Sequence, residues 1–234
     1  MATLTEADFK LLFHDARTHR AWTGEPISGE TLRELYALVR LPPTSGNCQP
    51  ARIVFVRTPQ AKERLKPALD AGNVDKTMNA AVTAIVAYDT EYHLKLQQLN
   101  PHAKNIVEKA AQRSLESRTQ EATFSATLQA AYLILAARGL GLDCGPMGGF
   151  KPDMVDAEFF PDGKWKSIGI LINLGHGDAS KLHPRSPRLS FSVSSARMRR
   201  CRASMHSPSA MMTLSPRSAD RIASFSVATM VATE

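Results

Sequence analysis

Four short stretches of this chain carry residues that could hold a charged, flat ligand. Arg17-Thr18-His19-Arg20 sets two guanidinium groups and a hydroxyl just after an amphipathic segment. Arginine presents a planar fork of donors that matches a phosphate, and it stays charged at any working pH. Pro43-Thr44-Ser45-Gly46-Asn47-Cys48-Gln49-Pro50 places small hydroxyl and amide side chains between two prolines, directly before the apolar run from Ala51. Such a segment is a rigid turn that offers polar atoms and backbone N–H groups to a ligand. Gly145-Pro146-Met147-Gly148-Gly149-Phe150 reads as a glycine loop, and glycine lets backbone approach a bound group closely. Pro184-Arg185-Ser186-Pro187-Arg188 adds a second basic pair. Together these loops suit a phosphate and a flat ring. Each also has a plainer reading. Arg17 alone is a helix-end arginine meeting the C-terminal dipole, Lys76 is one surface lysine among many, and the Pro43–Pro50 stretch is an ordinary loop. His19 could pass for an acid–base group, but a loop histidine is expected to be exposed, so it is assigned proximity to the phosphate and no more.

The elements that must position these loops follow from periodicity. Thr5-Glu6-Ala7-Asp8 has the pattern of a capping box, with Phe9, Leu12, Phe13 and Ala16 on one helical face after it. A second helix starts at Ser28, carries Leu32, Leu35, Tyr36 and Val39 as its apolar stripe, and stops at Pro42-Pro43. Strands are expected at Ile53–Arg57, Val82–Tyr88 and Ser167–Leu174, all rich in β-branched residues. A long helical region is expected from about Ala103 to Arg138, ended by Gly139 and Gly141. Its second half, Phe124 to Ala137, is apolar on nearly every face, so it is expected to be buried all round and covered in part by a second copy, with Leu133 at that contact. Strands and helices mix without strict βαβ alternation, which gives an α+β layer fold. No GxGxxG follows a strand and no GxxxxGK[ST] is present, which counts against a Rossmann dehydrogenase and a P-loop enzyme.

Composition narrows the function classes. The chain has 234 residues and a net charge of +7. No charged segment leads into an apolar one at the start, and no run approaches the roughly 20 apolar residues of a membrane span, so a cytoplasmic protein without membrane association is expected. Cys48, Cys144 and Cys201 stand apart without CxxC spacing, as expected in a reducing compartment and not for a metal cluster. Each reads as a small buried hydrophobe. The basic charge is uneven. From Ser192 onward the chain holds six of the 29 Lys+Arg but two of the 22 Asp+Glu, ten serines and five of the nine methionines. Without that tail the net charge falls to +3. The basic cluster lacks interleaved aromatics, so no nucleic-acid partner is expected.

In their order along the chain, the Arg17 segment, the Pro43–Pro50 turn, Asn73 with Lys76, and the glycine loop resemble the flavin-binding loops of the nitroreductase family. The resemblance runs from Thr5 to about Phe191. It implies an α+β fold with a central mixed or antiparallel sheet flanked by helices, in a domain-sharing homodimer that binds FMN and takes hydride from NADPH or NADH. It implies that Arg17 and Thr18 grip the flavin phosphate with His19 close by, that Arg20 is a less constant contact, and that Arg188 returns to the same phosphate. Thr44, Ser45 and Asn47 are placed along the ring and ribityl chain from the neighbouring subunit. Asn73 and Lys76 are placed at the pyrimidine edge, where a cation and an amide stabilise the charge of a reduced ring. Gly148 and Gly149 are placed near flavin N5, with Gly148 standing where many members carry an acidic residue.

Within the family, Asp15–His19, Pro43–Ser45, Asn47-Cys48, Pro50–Phe55, Gln129–Ile134, Gly141–Asp143 and Gly145–Met147 are most similar to the branch that reduces malonic semialdehyde to 3-hydroxypropionate in uracil breakdown. Substrate and nicotinamide are then expected to use one cleft in turn, with a small aldehyde as substrate and no residue identified as proton donor. A broad nitro- or quinone-reducing flavoprotein, and a flavin-binding redox protein without dedicated turnover, are the alternatives. The resemblance stops at Phe191, where members end in a brief acidic and apolar helix. Residues 1–191 are therefore read as the FMN-binding domain, and 192–234 as a basic Ser/Arg/Met-rich tail, disordered or translated out of frame.

Overall fold

The computed structural model describes residues 3–194. The tail from 195 on, with Cys201, lies outside the described residues, and so does the expectation made for it. The described residues fall into two units, one up to Arg185 and one from Ser186.

The first unit is built on four antiparallel strands in the order β1-β2-β4-β3. These are β1 Ala51–Val56, β2 Val82–Asp89, β3 Asp143–Met147 and β4 Trp165–Gly175. Three of them match the sequence expectation within a few residues, and the mixed-or-antiparallel expectation resolves to antiparallel. β2 is apolar but for Thr83 and Asp89 because it lies between two partners and is covered on both faces; all eight of its residues are buried. Val82, Ala84 and Val86 face a layer holding Leu32, Leu35, Val39, Ala130, Leu133 and Ala137. Ile85 and Ala87, one step out of phase, join Leu65, Leu69, Phe150, Val155 and Phe160 in a second layer. The β2–β4 register breaks between Ile85 and Ala87, where β4 carries the excess residues around Gly169, at φ 82°.

Helix Gly29–Val39 starts at Ser28, whose hydroxyl accepts from the Thr31 N–H, and ends before Pro42. Its stripe is Leu32, Leu35 and Val39; Tyr36, about 40° from Leu32 on the side away from Leu35, lies at the margin of the stripe and is exposed. The helical region expected from Ala103 is two helices, Ile106–Ala111 and Leu115–Gly139, separated at Arg113 and restarted by the Ser114 cap. The long helix ends as expected, with Gly141 at φ 77° and the Leu142 N–H returning to the Ala137 carbonyl.

Two burial expectations fail within a single chain. Leu133 is wholly buried in the chain's own core and is no contact residue, whereas Phe124 on the opposite face is 62% exposed. The Thr5–Asp8 capping box forms, but the helix widens to π-type turns at Lys10–His14. That change of period breaks the expected stripe, and Phe9 and Phe13 stay exposed. Among the described residues, no helix is long and apolar enough to cross a membrane.

Candidate active site

Residues 17–22 run beside the sheet and touch it through isolated bridges. Thr18 bridges Cys144 in parallel, the His19 N–H donates to the Cys144 carbonyl at 3.0 Å, and Trp22 bridges Gly177. Arg17 Nη2 donates to the His183 carbonyl at 2.5 Å, while Arg185 Nη2 donates to the carbonyls of His14 and Ala16. The two arginines thus stitch the entry of this segment to the chain after β4, and Arg17 keeps further donors of its guanidinium for a ligand. Thr18 and Arg20 are exposed.

His19 corrects the expectation of an exposed loop histidine. It is only 6% exposed, with Nε2 at 3.4 Å from Asp143 Oδ1 and Nδ1 without a partner. The bridges on either side of it thread the ring into the sheet layer, against Gly177, where a side chain would overlap the imidazole. Asp143 is fixed in turn by the Gly177 N–H at 2.9 Å.

A second group adjoins the first through Trp22, whose indole N–H donates to the Lys76 carbonyl at 2.8 Å. Lys76 Nζ donates to Asn73 Oδ1 at 2.9 Å, and Asn73 Nδ2 donates to the Gly149 carbonyl at 2.8 Å. That carbonyl also accepts from the Asp70 N–H. The Asn-x-x-Lys spacing therefore puts both side chains on one face of helix Ala71–Met78, one turn apart, and ties them to the glycine segment. The segment itself is only half loop, since Gly145-Pro146-Met147 forms the end of β3. Its glycines answer different needs. A Cβ on Gly145 would lie 2.6 Å from the His19 carbonyl, and one on Gly149 would overlap the Asn73 amide. A Cβ on Gly148 meets only the Gly169 carbonyl, at an ordinary 3.5 Å.

The third group stands apart. Ser45–Asn47 forms one tight turn, with Gly46, Asn47 and Gln49 all in the left-handed region at φ 53°, 55° and 40°. Two of these are not glycine, a conformation that needs neighbours to hold it. Thr44 Oγ1 accepts from the Gln49 N–H, Asn47 Nδ2 donates to the Leu99 carbonyl, and Ser45 Oγ donates to Glu121 Oε1 at 2.8 Å. Ser45 N–H points at Ser125 Oγ in the middle of the long helix, Tyr132 OH donates to the Pro43 carbonyl, and Arg138 near the helix's C-terminal end reaches the Leu12 carbonyl. At 1.5 Å per residue, Ser125 and Arg138 are about 20 Å apart along the helix. One chain therefore brings Arg17, Thr18 and His19 together with Asn73, Lys76, Gly148 and Gly149, and holds Thr44, Ser45 and Asn47 against the long helix between Glu121 and Tyr132. Arg188 belongs to the second unit, where it donates to the carbonyls of Ser186 and Pro187.

Three residues that matter here escaped the sequence reading: Trp22, Asp143 and Glu121. An invariant spacing to the loops could have flagged none of them, since each acts through tertiary contact. The cysteines behave as expected: Cys48 and Cys144 are buried, and burial pushes the Cys144 thiol up to about 12.

Residues 15–176 match the nitroreductase family. The chain belongs to the nitroreductase family. A protein of Ralstonia nicotianae, provisionally named NADH dehydrogenase/NAD(P)H nitroreductase, is 49% identical over 191 residues, which are 82% of this chain and 96% of that one. Solved members of this family share the fold at lower identity. A Bacillus subtilis protein provisionally named a nitroreductase has a TM-score of 0.74 at 24% identity, covering 83% of this chain and all of its own. One from Exiguobacterium sibiricum, solved in complex with FMN, has a TM-score of 0.74 at 20% identity, covering 84% of this chain and all of its own.

Proposed function

We propose that this nitroreductase-family chain binds FMN, takes reducing equivalents from NADPH or NADH, and reduces malonic semialdehyde to 3-hydroxypropionate. The observation that carries the reading is the hydrogen-bonded run Lys76–Asn73–Gly149 beside the Arg17 segment. Its donor set fits FMN. Arg17 and Thr18 supply a guanidinium and a hydroxyl for the phosphate, and Lys76 supplies a cation for the pyrimidine edge. Bound FMN supplies the hydride chemistry. The chain's own part is electrostatic and steric. Asn73 holds the Lys76 ammonium in one place, so its charge needs no rearrangement when negative charge develops nearby. Gly149 lets that helix and the end of β3 close on each other.

Gly148 bears on the substrate. Nothing around it forbids a side chain, yet none is there. A cleft without a carboxylate at that point suits an aldehyde that itself carries one. Among the described residues, Thr44, Ser45 and Asn47 share no hydrogen bond with the Arg17 segment or with the Lys76–Asn73–Gly149 run; their partners are Gln49, Leu99, Glu121 and Ser125. This supports a homodimer in which each turn completes the partner's site, with the exposed face around Phe124 as part of the contact. A groove of about 430 Å³ along Thr119, Thr123, Phe124, Thr127 and Leu128 lies on that face. A broad nitro- or quinone-reducing activity is the second reading, favoured by the name of the Ralstonia relative.

Steady-state turnover separates them. The proposal expects kcat/KM for malonic semialdehyde at least tenfold above that for a nitroaromatic or a quinone, and a lower value for its neutral analogue, propanal. Equal rates with propanal, or preference for a nitroaromatic, would favour the broad reductase.

A further inference from the structure

We propose that Glu121 is a positioning residue for the proposed FMN site, fixing the strained Thr44–Asn47 turn and setting the Ser45 hydroxyl as a hydrogen-bond acceptor toward the ligand. The inference rests on the reading of that turn as part of an FMN site. Glu121 lies in the long helix and is only 20% exposed. One carboxylate oxygen accepts from Tyr92 OH and Arg113 Nη1, both at 2.5 Å, and the other accepts from Ser45 Oγ at 2.8 Å. Burial alone would raise its carboxyl, but the hydrogen bonds from Tyr92, Ser45 and Arg113 and the Arg113 charge outweigh it and hold Glu121 below the ordinary glutamate value. It is therefore ionised at neutral pH.

An ionised carboxylate only accepts. Ser45 has one hydroxyl proton, and Glu121 takes it. The lone pairs of Ser45 Oγ then face away from Glu121, so this hydroxyl serves a ligand as an acceptor for an N–H or O–H. FMN offers such donors at its ring N3–H and its ribityl hydroxyls. The same bond anchors the first residue of a turn in which Gly46 and Asn47 are left-handed. Beside the turn lies a cavity of about 160 Å³ lined by Ser45, Cys48, Lys109, Arg113 and Glu121, and the Glu121 bond is the contact that orients the Ser45 hydroxyl, while Asn47 and the Ser45 N–H are held by Leu99 and Ser125.

Glutamine at this position keeps the shape but brings an NH₂ donor into a cluster of donors. With Tyr92 and Arg113 claiming the remaining carbonyl, the amide is driven to donate to Ser45, which reverses the hydroxyl. The test titrates FMN by fluorescence quenching into wild type, Glu121→Gln, Ser45→Ala, the double variant and Tyr92→Phe. It also follows amide exchange of residues 44–49 in the flavin-free proteins. Glu121→Gln and Ser45→Ala are each expected to raise the FMN Kd about tenfold, the effect of one lost hydrogen bond. The double variant should be no worse than Ser45→Ala, since both changes act through one hydroxyl. Tyr92→Phe, which leaves the Ser45 bond intact, should change the Kd less than threefold. A wild-type Kd in Glu121→Gln, losses that multiply in the double variant, or equal losses in Tyr92→Phe would overturn the proposal. If wild type takes up no FMN, the reading of the site fails and exchange decides the positioning: faster exchange at Gly46 and Asn47 in Glu121→Gln alone upholds it, and unchanged exchange ends it.

Discussion

Replacing Gly149 by alanine probes the junction that holds Asn73 and Lys76 together. A methyl at that point overlaps the Asn73 amide and lies 3.1 Å from Asp70 Oδ2, so the amide must leave the Gly149 carbonyl it now contacts at 2.8 Å. Losing that hydrogen bond costs about 0.5–1.5 kcal/mol. Crowding a packed junction adds about 1–3 kcal/mol. Against this, alanine restricts the unfolded chain and returns about 0.4–1 kcal/mol. The net expectation is a loss of about 0.5–4 kcal/mol from crowding and the lost hydrogen bond, with no backbone strain, because Gly149 is not in the left-handed region. Gly148→Ala is the matched control. Its methyl meets only the Gly169 carbonyl at 3.5 Å, so stability should stay within about 0.5 kcal/mol or rise slightly. Urea unfolding of the flavin-free proteins measures both, and an FMN titration of each reports whether Lys76 has moved. Equal stability of the two variants would refute the account of the junction.

Further expectations follow from the same geometry. Arg17→Ala should weaken FMN about tenfold to a hundredfold, one charge-assisted contact of about 1.5–3 kcal/mol, as read by flavin content under limiting FMN. Phe124→Asp should shift sedimentation toward monomer and lower flavin content while leaving each chain folded, whereas Leu133→Asp should unfold the chain, since Leu133 is wholly buried in its own core. A chain ending at Phe191 should stay soluble and keep FMN, which differential scanning and absorbance check. Stability should fall in acid through Glu121 and Asp89. Burial alone would raise both carboxyls, but hydrogen bonds and the Arg113, Arg52 and Lys95 charges outweigh it and hold both below their ordinary values. Their contribution is complete above the ordinary carboxylate range and lost as pH falls through the folded values, so Glu121→Gln should flatten the acid limb of a Tm-against-pH curve.

The strands at β1, β2 and β4 were legible because each is a run of β-branched and apolar residues long enough to declare itself. β3 was not. Its Asp143-Cys144-Gly145-Pro146-Met147 carries a glycine and a proline, and as the sheet's edge neighbour it needs few backbone donors, so it reads as loop and pairs as strand. The N-terminal stripe misled for a related reason: a 3.6 period was extrapolated across Lys10–His14, where the backbone takes wider turns. For the site, the Pro43–Pro50 turn was legible from its own composition, whereas Asn73 and Lys76, which share a helix face, were singled out only through the family resemblance. His19, Trp22 and Asp143 owe their roles to partners 34 or more residues away, and Glu121 to Ser45, 76 residues away, together with Tyr92 and Arg113, none of which a local pattern encodes.

The central claim is that one cleft holds FMN and passes reducing equivalents to a small carboxylated aldehyde, and an anaerobic absorbance titration of the purified protein tests it directly. The protein should carry non-covalent flavin released on denaturation, lose its yellow absorbance on addition of NADPH or NADH, and regain it stoichiometrically when malonic semialdehyde is added. A protein that takes up no flavin, or one whose bleached flavin stays bleached with malonic semialdehyde yet recolours with a nitroaromatic, would contradict the account.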